Sequence, residues 1–143
     1  MTNAIEAINR IKVVGKENAK RHKSQKTHFV DKNCTGFRQG DIYVLRVSEK
    51  HPVGEVIQRN QIADGVSIGA RHILNGNFEV YEGVKPHPKV NDLHAKAGLG
   101  YCIDVEPTTV LTHPEHDNYV FKTRGRFQVH HQIDLRTLKR AAD

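Results

Sequence analysis

The chain has 143 residues, 37% of them hydrophobic, with 22 Lys/Arg against 16 Asp/Glu, ten histidines, two cysteines and no tryptophan. That is enough for one domain of ordinary size with a real core. No apolar run is long enough for a membrane helix, and no CxxC pair is present, which excludes a four-cysteine zinc site.

The charge is unevenly placed. Residues 1–38 hold nine Lys/Arg against Glu6, Glu17 and Asp31, and the remainder of the chain is balanced. The sequence therefore reads as a neutral body, 36–143, carrying a cationic arm, 1–35. Such an arm is drawn to polyanions or acidic protein surfaces, with an attraction that salt screens.

In chain order, residues 3–14 predict a helix. Asn3 caps it, Glu6 completes a capping box, and Ile5, Ile8 and Ile11 form a narrow apolar stripe that needs a partner. The start Met1-Thr2-Asn3-Ala4-Ile5-Glu6 lacks the apolar core of a secretory signal, so folding in the cytoplasm is the expectation. Residues 16–33 are polar, basic and aperiodic, which predicts extended or disordered chain. Lys12, Lys16, Lys20, Arg21, Lys23, Lys26 and Lys32 are the candidate contacts to phosphates or to partner subunits. Few aromatics lie among them, so base stacking is not indicated.

From Gly36 onward the pattern becomes short β-like runs separated by turns. Ile42–Val47 is the strongest, preceded by a Gly40-Asp41 turn. Weaker strands are expected at Val53–Ile57 and within Val66–Leu74. Asn75-Gly76-Asn77 predicts a hairpin into Phe78–Glu82. Residues 83–98 read as a long loop with one helical turn near Asp92–Ala97. Strands follow at Tyr101–Val105, Thr108–Thr112 and Tyr119–Lys122. Arg126–Ile133 alternates, with Phe127, Val129, His131 and Ile133 on one face and His130 on the other. Asp134–Arg140 predicts a short C-terminal helix capped by Asp134. The whole implies a mainly β protein, an antiparallel β-sandwich or small barrel. Cys102 is expected in a strand and Cys34 in a connector, both as reduced thiols; a bond between them stays open.

The sharpest local feature is His113-Pro114-Glu115-His116. Two imidazoles three apart can face one metal, with Glu115 as base or third ligand and His72 as a further ligand. The competing expectation is a capped turn leading into the next strand. His87 and His94 fall in the loop, and His22 and His28 in the arm.

The segment from Arg38 to Ile133 resembles a family of small, uncharacterised β-rich proteins of bacteria and their phages. The matching residues are Gln39-Gly40-Asp41, Gly69-Ala70-Arg71-His72-Ile73, His113-Pro114-Glu115-His116 and Gly125-Arg126-Phe127-Gln128-Val129. The chain departs at the second element, where the family tends to hold two histidines and here only His72 remains. The phage members imply a virion role.

Two functions follow as expectations. The first is a non-enzymatic assembly protein without cofactor, most concretely a phage capsid cement or decoration protein. Its arm would tie it to neighbouring subunits or to nucleic acid, and a ribonucleoprotein subunit is a near relative. The alternative is a metal-dependent hydrolase or nuclease, with a divalent metal on His72, His113 and His116. Convergence of those three histidines in a concave site discriminates the two.

Overall fold

The computed structural model describes residues 25–64, 71–90, 97–134 and 139–140. Thirteen strands make up the secondary structure of these residues. They are β1 (Thr27–Val30), β2 (Gly36–Gln39), β3 (Ile42–Val47), β4 (Val53–Ile57), β5 (Gln61–Asp64), β6 (Arg71–Asn75) and β7 (Phe78–Gly83), followed by β8 (Leu99–Val105), β9 (Val110–Thr112), β10 (Asn118–Phe121), β11 (Gly125–His131), β12 (Ile133–Asp134) and β13 (Lys139–Arg140).

Two sheets carry the fold. A five-stranded sheet runs β1-β10-β9-β6-β5, and a six-stranded sheet runs β2-β3-β11-β8-β7-β4. The protein is thus mainly β, with two sheets and no closed barrel. The core is built from the period-2 alternation of both sheets. Ile42 and Val44 of β3, Ile103 and Val105 of β8, and Phe127 and Val129 of β11 meet Leu74, Leu111 and Phe121 of the smaller sheet. Phe121 and Phe127 are fully buried, with ring centroids 5.1 Å apart. Full burial of such side chains contributes about 1.5–3 kcal/mol each.

Several expectations are corrected. Thr27–Val30, read as part of the arm, forms β1, which pairs parallel with β10 in an otherwise antiparallel sheet. The pairing holds because Val30, 2% exposed, packs into the core, while His28 stays exposed and pairs with Asp117. In place of a C-terminal helix capped by Asp134, β12 pairs with β13, Ile133 opposite Arg140. Asp134, Lys139 and Arg140 thus place their backbone groups in a strand pair, and residues 135–138 of the expected helix lie outside the described residues. Gly76 and Asn77 do not close a hairpin either: β6 and β7 lie in different sheets. The chain crosses there because Gly76 takes φ +135°, and a Cβ would stand 2.8 Å from the Thr109 Cα. By contrast Gly40, at φ +57°, occupies the first central position of the tight turn joining β2 to β3.

The expected helix over 3–14 and the helical turn near Asp92–Ala97 lie outside the described residues, apart from Ala97 itself, which sits in a turn. Both cysteines are free thiols, Cys102 buried and Cys34 half-buried. Burial pushes the Cys102 thiol up to about 12. Among the described residues no helix is long and apolar enough to cross a membrane.

Candidate functional site

The tight turn after β2 and the inward face of β6 bring three polar side chains together between the sheets. His72 is fully buried. Its Nδ1 lies 2.8 Å from Gln39 Oε1 and its Nε2 lies 2.9 Å from Asp41 Oδ1. The Gln39 amide is oriented by its other end, since Nε2 donates to the carbonyls of Leu111 and Asp117. Both His72 nitrogens therefore face acceptors. The Gln39 oxygen can only accept, so Nδ1–H donates to it, and Nε2 pairs with the Asp41 carboxylate. Burial raises the Asp41 carboxyl, but the hydrogen bond and charge of His72 outweigh it and hold Asp41 below the ordinary carboxylate value.

His113 and His116 extend this group toward the surface. The His72 and His113 ring centroids are 4.6 Å apart, and those of His113 and His116 are 4.4 Å apart. The three histidines singled out in sequence thus converge. They do so as a row of tilted rings. His113 Nδ1 accepts the backbone N–H groups of Glu115 and His116, the capped turn that the Pro114 spacing allows. Among the described residues no set of three His, Cys, Asp or Glu side chains is arranged to hold a metal ion. Glu115, the candidate base, is exposed.

The 113–117 loop has a second role that sequence did not suggest. Gln25 Nε2 donates to the carbonyls of His113 and His116 at 2.6 and 2.7 Å. The Lys26 backbone N–H donates to Asp117 Oδ1, and His28 Nε2 lies 2.7 Å from Asp117 Oδ2. His28 also stacks on Tyr119, which stacks on Phe37. The root of the basic segment is therefore fastened to the body by four contacts from Gln25, Lys26 and His28. Burial raises the Asp117 carboxyl, but the Lys26 amide and His28 outweigh it and hold the group below its usual range. Beside this clamp opens a cleft of about 380 Å³, where Lys26 and Arg38 face Glu115, His116 and Asp117.

Of the other arm candidates, Lys32 is exposed in the turn after β1. Ile5, Ile8, Ile11, Lys12, Lys16, Lys20, Arg21 and Lys23 lie outside the described residues. Sequence reasoning missed Gln25, Gln39, Asp41 and Asp117 as functional contacts. The one available signal was the Gln39-Gly40-Asp41 motif, which marks a turn but not the partner of its side chains. No protein-family model, curated protein or solved structure matches the chain.

Proposed function

We propose that this is a non-enzymatic assembly or binding protein whose β-sandwich holds the root of a cationic arm and presents that arm to a polyanion or to neighbouring protein subunits. The observation that carries the reading is the clamp of Gln25, Lys26 and His28 on the 113–117 loop. A charged segment tied at one fixed point is positioned for contact without being free to wander over the body. The charge count supports the same reading, since the net +6 of the chain resides in residues 1–38. In its most concrete form the protein is a phage capsid cement or decoration protein; that step rests on the resemblance of four short elements to bacterial and phage proteins.

The test is binding of the full chain to a labelled DNA duplex, read by fluorescence anisotropy across a salt series. Affinity that falls steeply with salt, and falls further on joint neutralisation of Lys20, Arg21, Lys23 and Lys26 to Gln, supports a polyanion-seeking arm. For a protein partner the same variant is compared in a mixing experiment with the purified assembly. Equal binding at low and high salt sinks the electrostatic reading and points to the Ile5, Ile8 and Ile11 stripe.

The convergence of His72, His113 and His116 favours a second reading, the metal-dependent hydrolase or nuclease. Against it stand the hydrogen bonds that occupy both His72 nitrogens and His113 Nδ1. Elemental analysis of protein prepared without chelators separates the two. Stoichiometric zinc, manganese or iron, lost in His113→Ala and His116→Ala, would establish the metal reading.

A further inference from the structure

Residues 84–90, the strap that follows β7, lie against the outer face of the six-stranded sheet. Among the described residues, histidines tie the strap down at three points. His51 Nε2 donates to the Lys85 carbonyl at 2.8 Å, and His87 Nε2 donates to the Arg46 carbonyl at 3.0 Å. The third tie has the opposite polarity. His130 of β11 lies on the face away from the core residues Phe127 and Val129, is 4% exposed, and accepts the backbone N–H of His87 on its Nε2 at 3.1 Å. Pro86 and Pro88 flank His87 and carry no N–H, so this is the one backbone donor of residues 86–88. An accepting Nε2 places the ring proton of His130 on Nδ1, which is buried without a hydrogen-bond partner among the described residues. The closed strap thus keeps a donor unsatisfied, a cost that opening to water removes.

We propose that the strap is an acid-released latch: a proton taken up by His130 Nε2 turns that acceptor into a donor, expels the His87 N–H and frees the strap from β11. The other two ties do not switch in this way, because an imidazolium still donates. The groups that act on the charge of His130 are His87 of the strap and His51 of the turn after β3, and both oppose it. Opposite His130 in the strand register, β3 presents Tyr43 and β8 presents Leu99, and the strap residues Lys85 and Lys89 are exposed. Burial first, and then His87 and His51, push His130 from 6.5 down to about 4 while the strap is closed. The proton therefore binds more tightly once the strap has lifted, and acid favours the open form. This device is independent of the arm and of its clamp.

The test is backbone hydrogen exchange of the full chain, read by NMR between pH 7 and pH 5. At each pH the His87 amide is less protected than the amides of β8 and β11, because the strap opens without unfolding of the sheets. Its protection factor falls about twentyfold over the interval, the ratio set by 6.5 in the open strap and about 4 in the closed one. In His130→Gln the amide oxygen still accepts the His87 N–H and does not titrate, so protection is kept across the same range. The ring ¹⁵N resonances of wild-type His130 at pH 7 show a proton on Nδ1 and a bare Nε2. Should His130→Gln fail to fold, these resonances and the wild-type exchange decide. A proton on Nε2 at pH 7, His87 protection equal to that of the strands, protection unchanged from pH 7 to pH 5, or an equal fall in His130→Gln would each overturn the latch.

Discussion

His72 is surrounded by oxygen on both ring nitrogens and has no access to water. Its Nδ1–H donates to Gln39 and its Nε2 is paired with Asp41. Removing Asp41 leaves a buried nitrogen without a partner, a loss of about 2–3 kcal/mol for Asp41→Ala. Asp41→Asn should cost less, about 1 kcal/mol, because its amide can donate to a neutral His72 Nε2. Urea unfolding of the two variants beside the wild type checks the order. Equal costs would show that the Asn amide does not replace the carboxylate as partner of His72 Nε2.

The carboxyls and His130 act in different pH windows. Asp41 and Asp117 are held below the ordinary value of 3.8, so their contribution is present above that pH and is lost as pH falls through the lowered folded value. His130 is pushed from 6.5 to about 4, so the unfolded chain binds its proton first and stability falls as pH drops through that interval. Between pH 7 and 5 this single group should cost about 2 kcal/mol of unfolding free energy. The slope should be absent in His130→Phe, which has nothing to titrate there. Thr108 offers the opposite sign. It is β-branched, exposed and at φ +76° in the turn before β9. Asn tolerates that backbone region, so Thr108→Asn should raise stability by about 0.5–1 kcal/mol, read as a higher melting temperature.

At the scale of elements, β1 decides where the arm ends. The sequence pattern divides the chain near residue 35, yet β1 carries Val30 into the core, and the chain after it holds Arg46 through the carbonyls of Asp31 and Cys34. A chain beginning at Gln25 keeps the clamp and β1, and should unfold cooperatively with near wild-type stability. A chain beginning at Gly36 loses the edge strand, and at least about 3 kcal/mol with it. Circular dichroism during thermal unfolding of both truncations is the check. Equal melting temperatures would show that β1 contributes nothing and that residue 35 is the true boundary. The basic composition of 16–33 hid this strand, since Phe29 and Val30 are its only large apolar residues and period-2 alternation needs a longer run to register. The turn at Asn75-Gly76-Asn77 was legible as a turn. Its destination was not, because glycine chemistry sets backbone angles and leaves the choice of partner strand to packing.

At the scale of the whole molecule, the chain is a balanced body with a charged end. Each phosphate that the arm neutralises adds about 0.9 to the slope of log affinity against log salt. Neutralising Lys20, Arg21, Lys23 and Lys26 together should therefore flatten that slope by about 3–4 if all four touch a polyanion. An unchanged slope would mean that these side chains do not contact phosphate, whatever the affinity.

The charge segregation, the β class and most strand positions were determined by sequence alone, while the state of the cysteines and the choice between a metal site and a capped turn at His113–His116 were left open by it. What it determined depends on composition, alternation or contacts a few residues apart. The parallel pairing of β1, the crossing between sheets at Gly76, the β12–β13 pair and the contact of His72 with Asp41 were decided by tertiary structure. So was the environment of His130. His130 was correctly assigned to the face of β11 opposite Phe127, but alternation says only that it points away from the core. What waits on that face is a loop from residues more than forty positions earlier, whose backbone N–H takes one ring nitrogen and leaves the other buried without a partner among the described residues. Contacts that distant are selected by the packing of the completed sheets, which no local pattern encodes.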